Sequence, residues 1–370
     1  MKKRLLKTIK SDPILVISGV LALVSCFFVT PDSEYLNYPD FRTLAILFSL
    51  MLVVSALVRI GTFDYLTGRL LGRIHTERYV TLFLVILSFF LSMLLTNDVT
   101  LVTLVPFALL LLKSFGDRRR TVYTLILMTI GANLGSMLTP IGNPQNLYLF
   151  SKYGFSLKDF TLTMLPYTIG ALALLVICVF FLNRTDHTMD TASIKPAQAP
   201  PVSRVLLYSA LFVVCLLTVA GVLHYGIMLG IVIVVMLPAD RRAFLKVDYA
   251  LLLTFLFFFI LIGNLKRIDA IQNTLSTIID ANVTVTAVLS SQVISNVPAA
   301  MLLSAFTDKG HALLVGVNLG GLGTLIASMA SLITYKFYAK ERQPKEHYLL
   351  KFTVLNLIFL AVLLTMNMWI

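Results

Sequence analysis

Charge is scarce in this chain. Of 370 residues, 13% are Asp, Glu, Lys or Arg and 58% are apolar, with a mean hydropathy of +0.89. Such a composition excludes a water-soluble globular protein, and no polar stretch is long enough for a large soluble domain. A phosphate-binding loop of the Gly-x-x-x-x-Gly-Lys-Ser/Thr type is also missing, which excludes ATP drive within this chain. Cysteine is rare: Cys26, Cys178 and Cys215 lie in apolar stretches without metal-type spacing and read as core thiols. Leu23-Val24-Ser25-Cys26 has the look of a lipoprotein cleavage box, but Phe27, Phe28 and Val29 continue the apolar run, so a retained first helix is expected.

What is present is a series of apolar runs long enough to span a bilayer, at 14–30, 41–60, 121–150, 161–182, 204–223, 226–238, 247–265, 310–335 and 346–368. The expected fold is an all-α polytopic membrane protein. The net charge of +12 sits in short loops between these runs, which is a topology signal and not a basic face for nucleic acid. Two further apolar stretches, 79–113 and 281–306, carry polar phrases in their middles. The first has Arg78 at one end and Lys113, Arg118, Arg119 and Arg120 at the other, which puts both ends on the cytoplasmic side of a re-entrant hairpin. With a cytoplasmic N-terminus and an external C-terminus in the plasma membrane, 24 of the 30 Lys and Arg fall in cytoplasmic segments. Outside remain Arg42, Lys152, Lys158, Lys266, Arg267 and Lys309. The second hairpin then enters from the opposite face.

The sequence also repeats itself. Thr96-Asn97-Asp98 is followed by Gly131-Ala132-Asn133-Leu134-Gly135, and Ser295-Asn296-Val297 by Gly316-Val317-Asn318-Leu319-Gly320. Thr139, Ile141 and Leu147 match Thr324, Ile326 and Leu332 at the same offset of 185. Upstream, Asp40 stands 19 residues before Arg59, as Asp248 does before Arg267, and the threading places these two acids on opposite sides. An inverted-topology repeat is expected. Residues 1–182 form the first unit, with hairpin 79–113 and a broken helix at 121–150. A cytoplasmic linker follows at 183–203. Residues 204–370 form the second unit, with hairpin 281–306 and a broken helix at 310–335. Residues 59–78 read as an interfacial amphipathic segment or a solvated loop.

Polar groups at bilayer depth are costly unless they line a cavity or bind something. Asn97 and Asn296 fall at the hairpin tips, where helix ends leave amides and carbonyls without partners, and either Asn could ligate sodium or merely cap its arm. Asp98 is the one acid the threading places at bilayer depth, and a carboxylate there takes a proton or a cation. It is therefore the expected proton or sodium coupling residue, with a capping role as the bland alternative. Val297 holds the equivalent place in the second unit. Pro140-Ile141-Gly142-Asn143-Pro144-Gln145-Asn146 blocks regular helix and exposes carbonyls and amides. The matching break lies in Gly320-Gly321-Leu322-Gly323-Thr324, with Ser328 and Ser331 downstream. A single midplane acid, with no intramembrane His beside a Ser, leaves no catalytic pair for a hydrolase, so an enzyme is not expected.

Leu95-Thr96-Asn97-Asp98-Val99-Thr100 with Val105-Pro106, and then Leu138-Thr139-Pro140-Ile141-Gly142-Asn143-Pro144-Gln145-Asn146, resembles the arsenite-permease branch of the ion transporter superfamily. That superfamily includes sodium/proton antiporters of the NhaD type and sodium-coupled citrate and dicarboxylate symporters. Ser291-Gln292-Val293-Ile294-Ser295-Asn296-Val297-Pro298 is similar to the second hairpin of its short bacterial anion permeases. The resemblance implies two opposed hairpins, a homodimer and an elevator-like motion. It implies one ion site at Thr96, Asn97, Thr139, Gly142, Asn143 and Asn146, and another at Ser295, Asn296, Gly320, Gly321, Gly323 and Thr324. The dicarboxylate symporters carry Ser-Asn-Thr at both tips. Here Asp98 and Val297 replace the last hydroxyl, and an ionised Asp98 would repel a dicarboxylate.

The expected function is secondary active transport of a small anion, inorganic or oxyanion-type, coupled to sodium or protons, with no cofactor beyond bound sodium. Sodium/proton exchange and di- or tricarboxylate symport are the alternatives within transport. An ion channel is the alternative of another class.

Overall fold

An apolar chain in a bilayer satisfies its backbone by forming helices, and this chain does so throughout. The structure is a computed structural model that describes residues 13–71, 74, 76–113, 117–182, 198–341 and 347–369. The basic residues before 13 and most of the expected linker, 183–197, lie outside the described residues.

The first half runs α1 (Pro13–Phe28), α2 (Phe41–Arg59), α3 (Thr62–Leu71), α4 (Glu77–Leu95), α5 (Asn97–Lys113), α6 (Arg118–Gly135), α7 (Pro144–Tyr153) and α8 (Leu157–Leu182). The second runs α9 (Val202–Val219), α10 (Tyr225–Ala239), α11 (Tyr249–Lys266), α12 (Asp269–Ala281), α13 (Val283–Ile294), α14 (Asn296–Leu303), α15 (Gly310–Leu319), α16 (Met329–Lys340) and α17 (Tyr348–Asn367). Among the described residues there is no strand, and seven helices are long and apolar enough to cross a membrane. The protein is thus an all-helical, multi-pass membrane protein. Residues 62–71 are helical, and α12 occupies the corresponding place in the second half, bent by 109° from α13 at a break around Asn282.

The helices fall into two packed groups. One holds α1, α2, α9, α10 and α11; the other holds α4 to α8 together with α13 to α17. Within the second group α6 is the axis. Its apolar window is 83% buried, whereas those of α8 and α17 are 28% buried and leave an apolar face for lipid. The arm helix α4 comes so close to α6 that a Cβ on Gly135 would stand 2.0 Å from the carbonyl oxygen of Phe89. Small residues at this spacing are what lets membrane helices approach.

The ends of the first group are tied across the two halves. Arg59, at the end of α2, donates from Nε to Asp240 Oδ2 at 2.8 Å. Arg267, after α11, pairs with Asp32 Oδ2 at 2.8 Å and holds that carboxyl below its ordinary range. At the offset of 208 that relates Arg59 to Arg267, Asp32 corresponds to Asp240. Each half thus supplies the arginine for the other half's aspartate. The helix starts repeat as well, with Asp40 capping Thr43 N and Asp248 capping Leu251 N, each at 3.0 Å.

Candidate functional site

Each hairpin turns on one residue with an unusual backbone. Thr96, between α4 and α5, has φ 84°, and Ser295, between α13 and α14, has φ 72°. A residue other than glycine at positive φ is strained, the β-branched Thr96 most of all, so the surroundings must hold each one there. They do so in the same way twice. Asn97 N donates to the carbonyl of Gly142 at 3.2 Å, and Asn296 N donates to the carbonyl of Ala327 at 3.0 Å. Thr139 Oγ1 donates to Met93 O at 2.6 Å, and Thr324 Oγ1 to Gln292 O at 3.3 Å. Each tip is thereby fastened to the break of its own half.

The breaks follow from their residues. Pro144 and Asn143 start α7, Thr139 to Asn143 form the turn before it, and a Cβ on Gly142 would lie 2.1 Å from Ser136 O. In the second half Ser328 precedes α16, and Gly323 sits at φ 106°. Gln292 spans this second break. Its Nε2 donates to the carbonyls of Gly320 and Leu322 at 3.0 and 2.9 Å, and its Oε1 accepts from Thr324 N at 2.9 Å.

The two halves then exchange side-chain partners. Asn133 Oδ1 accepts from Asn97 Nδ2 and from Ser328 Oγ, each at 2.9 Å, while its Nδ2 donates to Ser331 Oγ at 3.4 Å. Asn318, the counterpart of Asn133, donates to Asn146 Oδ1 at 2.7 Å. Since Asn146 corresponds to Ser331 at the offset of 185, each repeated asparagine reaches the start of the other half's broken helix. All four side chains are buried.

Where these parts meet lies a cavity of about 10 Å³, lined by Asn97, Asp98, Asn143, Gln145, Asn296, Val297 and Ser328 among others. It has room for about one water-sized particle. Four helices, α5, α7, α14 and α16, present their first residues to it. Helix N-termini carry partial positive charge, so four of them around one point favour an anion. Asp98 adds a carboxylate to this setting. Its backbone N–H is taken by Asn97 Oδ1 at 2.9 Å, and its buried Oδ1 has no hydrogen-bond partner among the described residues. The same holds for both amide atoms of Gln145.

Two larger cavities flank this centre, both on the seam between the helix groups. One, of about 80 Å³, is lined by Leu50, Met51 and Val54 of α2, by Thr96, Asp98 and Val99, and by Asp248. The other, of about 460 Å³, is lined by Asp40, Tyr148, Ser151, Lys152, Phe259, Ile262 and Lys266. The repeat relates part of their walls, since Asp40 matches Asp248, and Met51 and Val54 match Phe259 and Ile262, while both cavities also draw on α7.

Among the residues expected at the site, Asn97, Asp98, Asn143, Asn296 and Val297 line the central cavity, and Thr96 lines the neighbouring one. Thr139, Gly142, Asn146 and Ser295 surround it as fastenings of tip and break. A Cβ on Gly321 would lie 3.0 Å from Asn296 Nδ2. Gly320, Gly323 and Thr324 are not in the lining; they are held around Gln292. Sequence reasoning gave no role to Gln292, and it left Gln145, Ser328 and the crossed pair Asn133 and Asn318 out of the site. The repetition of Asn133 as Asn318 was the signal available. Asp98 is also not the only acid of the interior cavities, because Asp248 faces the same space.

Hairpin tips, broken helices and a buried polar centre in an apolar bundle define a membrane transporter. The chain belongs to the citrate transporter family, whose model matches residues 5–312. It is 34% identical to an uncharacterized transporter of Methanocaldococcus jannaschii over 320 residues, 86% of each protein. It is 32% identical to the inner membrane protein YbiR of Escherichia coli over 343 residues, covering 90% of this chain and 89% of that protein. A silicon efflux transporter of rice, Oryza sativa, is 30% identical over 168 residues, 44% of this chain and 34% of that protein.

Proposed function

We propose that the protein is a secondary active transporter of a small oxyanion across the plasma membrane, driven by sodium or protons. The observation that carries this reading is the convergence of four helix N-termini, two from each half, on one central cavity. An anion gains from such a setting without a dedicated cation. The centre is tight, and Asp98 stands where the dicarboxylate symporters would place a hydroxyl, which favours a compact solute over citrate. One relative, of rice, is named a silicon efflux transporter, which agrees with a small inorganic solute.

Alternating access is supported by the two flanking cavities. Their walls are related in part by the repeat, with Asp40 in one and Asp248 in the other, and they differ in size, at about 460 and 80 Å³. A sliding of the hairpin-bearing group along the group of α1, α2, α9, α10 and α11 would exchange their roles, an elevator-type motion. Polar contacts between distant segments, Arg59 with Asp240 and Arg267 with Asp32, join loops that the charge pattern assigns to one face. This agrees with the grouping of the loops, while the cytoplasmic N-terminus and the external wide cavity rest on the charge pattern alone. By family resemblance the working unit is a homodimer.

The test is flux into proteoliposomes of arsenite, silicate, phosphate, sulfate and citrate under imposed sodium or proton gradients. Gradient-driven accumulation of one of the small oxyanions is expected. Accumulation of citrate alone, or conductance without coupling, would contradict the reading. A second reading, sodium/proton exchange, draws on the placement of Asp98 and Asp248 around one cavity; in the same vesicles it would appear as sodium-driven proton movement without any anion.

A further inference from the structure

The wide cavity and the narrow one are related in part by the repeat, but their charges are not. The wide mouth carries Lys152, in the last turn of α7, and Lys266, in the last turn of α11. At the repeat offsets their counterparts are Phe337 and Val58, and the narrow cavity has no lysine in its lining. Its charged lining is Asp98 and Asp248. The wide cavity thus holds two lysines beside Asp40, and the narrow one two acids and no lysine.

The two lysines belong to different halves and to the two different helix groups, yet their ammonium groups stand close enough to act on each other directly. Neither is in an ion pair among the described residues. Of the nearby acids, Asp40 in the lining caps Thr43 N with its Oδ1 at 3.0 Å and takes the Thr43 hydroxyl on its Oδ2, and Asp308 acts on Lys266 from outside the lining without forming an ion pair with it. Helix C-termini account for one lysine each. They do not account for two brought together at a cavity of about 460 Å³, because like charges at short range repel. An oxyanion between them turns that repulsion into two charge-assisted hydrogen bonds. Ser151 adds a hydroxyl and Tyr148 an aromatic wall to the same cavity. Along α7, Lys152 lies about 10 Å beyond Gln145 of the central cavity, at 1.5 Å per residue.

We propose that Lys152 and Lys266 form an oxyanion-binding vestibule, a waiting site from which the solute passes to the hairpin tips. Its ligand is a group with two or more exposed anionic oxygens, supplied by a soluble oxyanion or by the headgroup of an anionic lipid. The vestibule deepens the transport reading and rests on it for the role of waiting site, while anion binding itself can be measured without transport.

The experiment uses the full chain in nanodiscs and measures acylation of lysines by a water-soluble succinimidyl ester, read by peptide mass spectrometry. In phosphatidylcholine discs, millimolar sulfate or phosphate should slow labelling of Lys152 and Lys266 at least fivefold relative to gluconate at equal ionic strength. Labelling of Lys158, an exposed lysine of α8, should not change. Slow labelling in phosphatidylglycerol discs without added oxyanion would identify the lipid headgroup as the source. Equal rates in every arm, or equal protection of Lys158, would overturn the vestibule. In proteoliposomes, Lys152→Gln with Lys266→Gln should raise the KM for the transported oxyanion about tenfold and leave kcat within twofold. Protection without any anion flux would retain the vestibule and defeat the transport reading; flux without protection would do the reverse.

Discussion

Asp98 belongs to both the central cavity and the narrow one beside it, and its Oδ1 is buried with no hydrogen-bond partner among the described residues. A carboxylate so placed, with Asp248 across the cavity, is stable when it holds a proton or a cation and costly when bare. Under the proposed function, Asp98 is the residue to carry coupling. Asp98→Asn keeps the size of the side chain and removes its titration. The variant should reach the membrane in normal amount, lose at least tenfold in gradient-driven uptake, and show no pH dependence in what remains. Uptake with the wild-type rate and pH profile would remove Asp98 from coupling. Asp98 stood out in the sequence because an acid inside an apolar run has few bland explanations. Asp248 did not, since it follows the basic segment 240–246 and reads as the cap it also is. Its second position, on a cavity wall opposite Asp98, depends on how α11 packs against the first hairpin, which no local pattern encodes.

At the level of the helix, the repeated glycines and asparagines divide their work. Gly135 allows α4 and α6 to touch backbone to backbone, and Asn133 reaches across to the other half. Gly135→Ala forces a methyl into the Phe89 carbonyl and should destabilise the fold by about 3 kcal/mol, the upper range for overpacking. Thermal unfolding in detergent would show it as a lower Tm, and an unchanged Tm would refute the close approach. The crossed ion pairs make a graded prediction. Asp240 is almost fully buried, with 1% of its side chain exposed, so Arg59→Gln should cost about 3 kcal/mol by stranding a buried charge. Arg267→Gln removes an exposed pair and should leave Tm nearly unchanged. The Asp32 contribution is present above the ordinary carboxylate pKa and fades as pH falls through its lowered folded value. Equal effects of the two substitutions would contradict the burial difference.

Helix positions were the most legible part of the fold, because charge-free runs, prolines and the phrases at 96–98 and 295–297 mark starts, breaks and turns directly. The amphipathic α12 was passed over, since Gln272, Asn273, Thr274, Ser276 and Thr277 read as loop. Partner exchange between halves was not legible at all. A repeat in sequence shows that two units are alike; which side chain crosses between them is a property of their packing.

For the molecule as a whole, the charge pattern assigns a sidedness. In a cysteine-free background, Arg78→Cys and Asp117→Cys, at the two ends of the first hairpin, should react only with reagent on the cytoplasmic side. Lys158→Cys should react only from outside. Labelling of the two ends from opposite sides would mean that α4 and α5 together cross the membrane once, and would undo the opposed-hairpin arrangement.

The central claim is that the two halves build a single anion site, with Asn97 and Asn296 on opposite walls of one cavity. The direct measurement is oxyanion uptake into proteoliposomes by Asn97→Ala, Asn296→Ala and the double variant, each checked for folding by its Tm. Losing one buried hydrogen-bonding group next to a charged ligand costs about 1.5–3 kcal/mol, so each single variant should lose at least tenfold in kcat/KM. The double variant should be little worse than either, because one shared site is already disabled. Single variants that each keep about half the activity, with nearly all of it lost in the double, would mean two independent sites and would contradict the account.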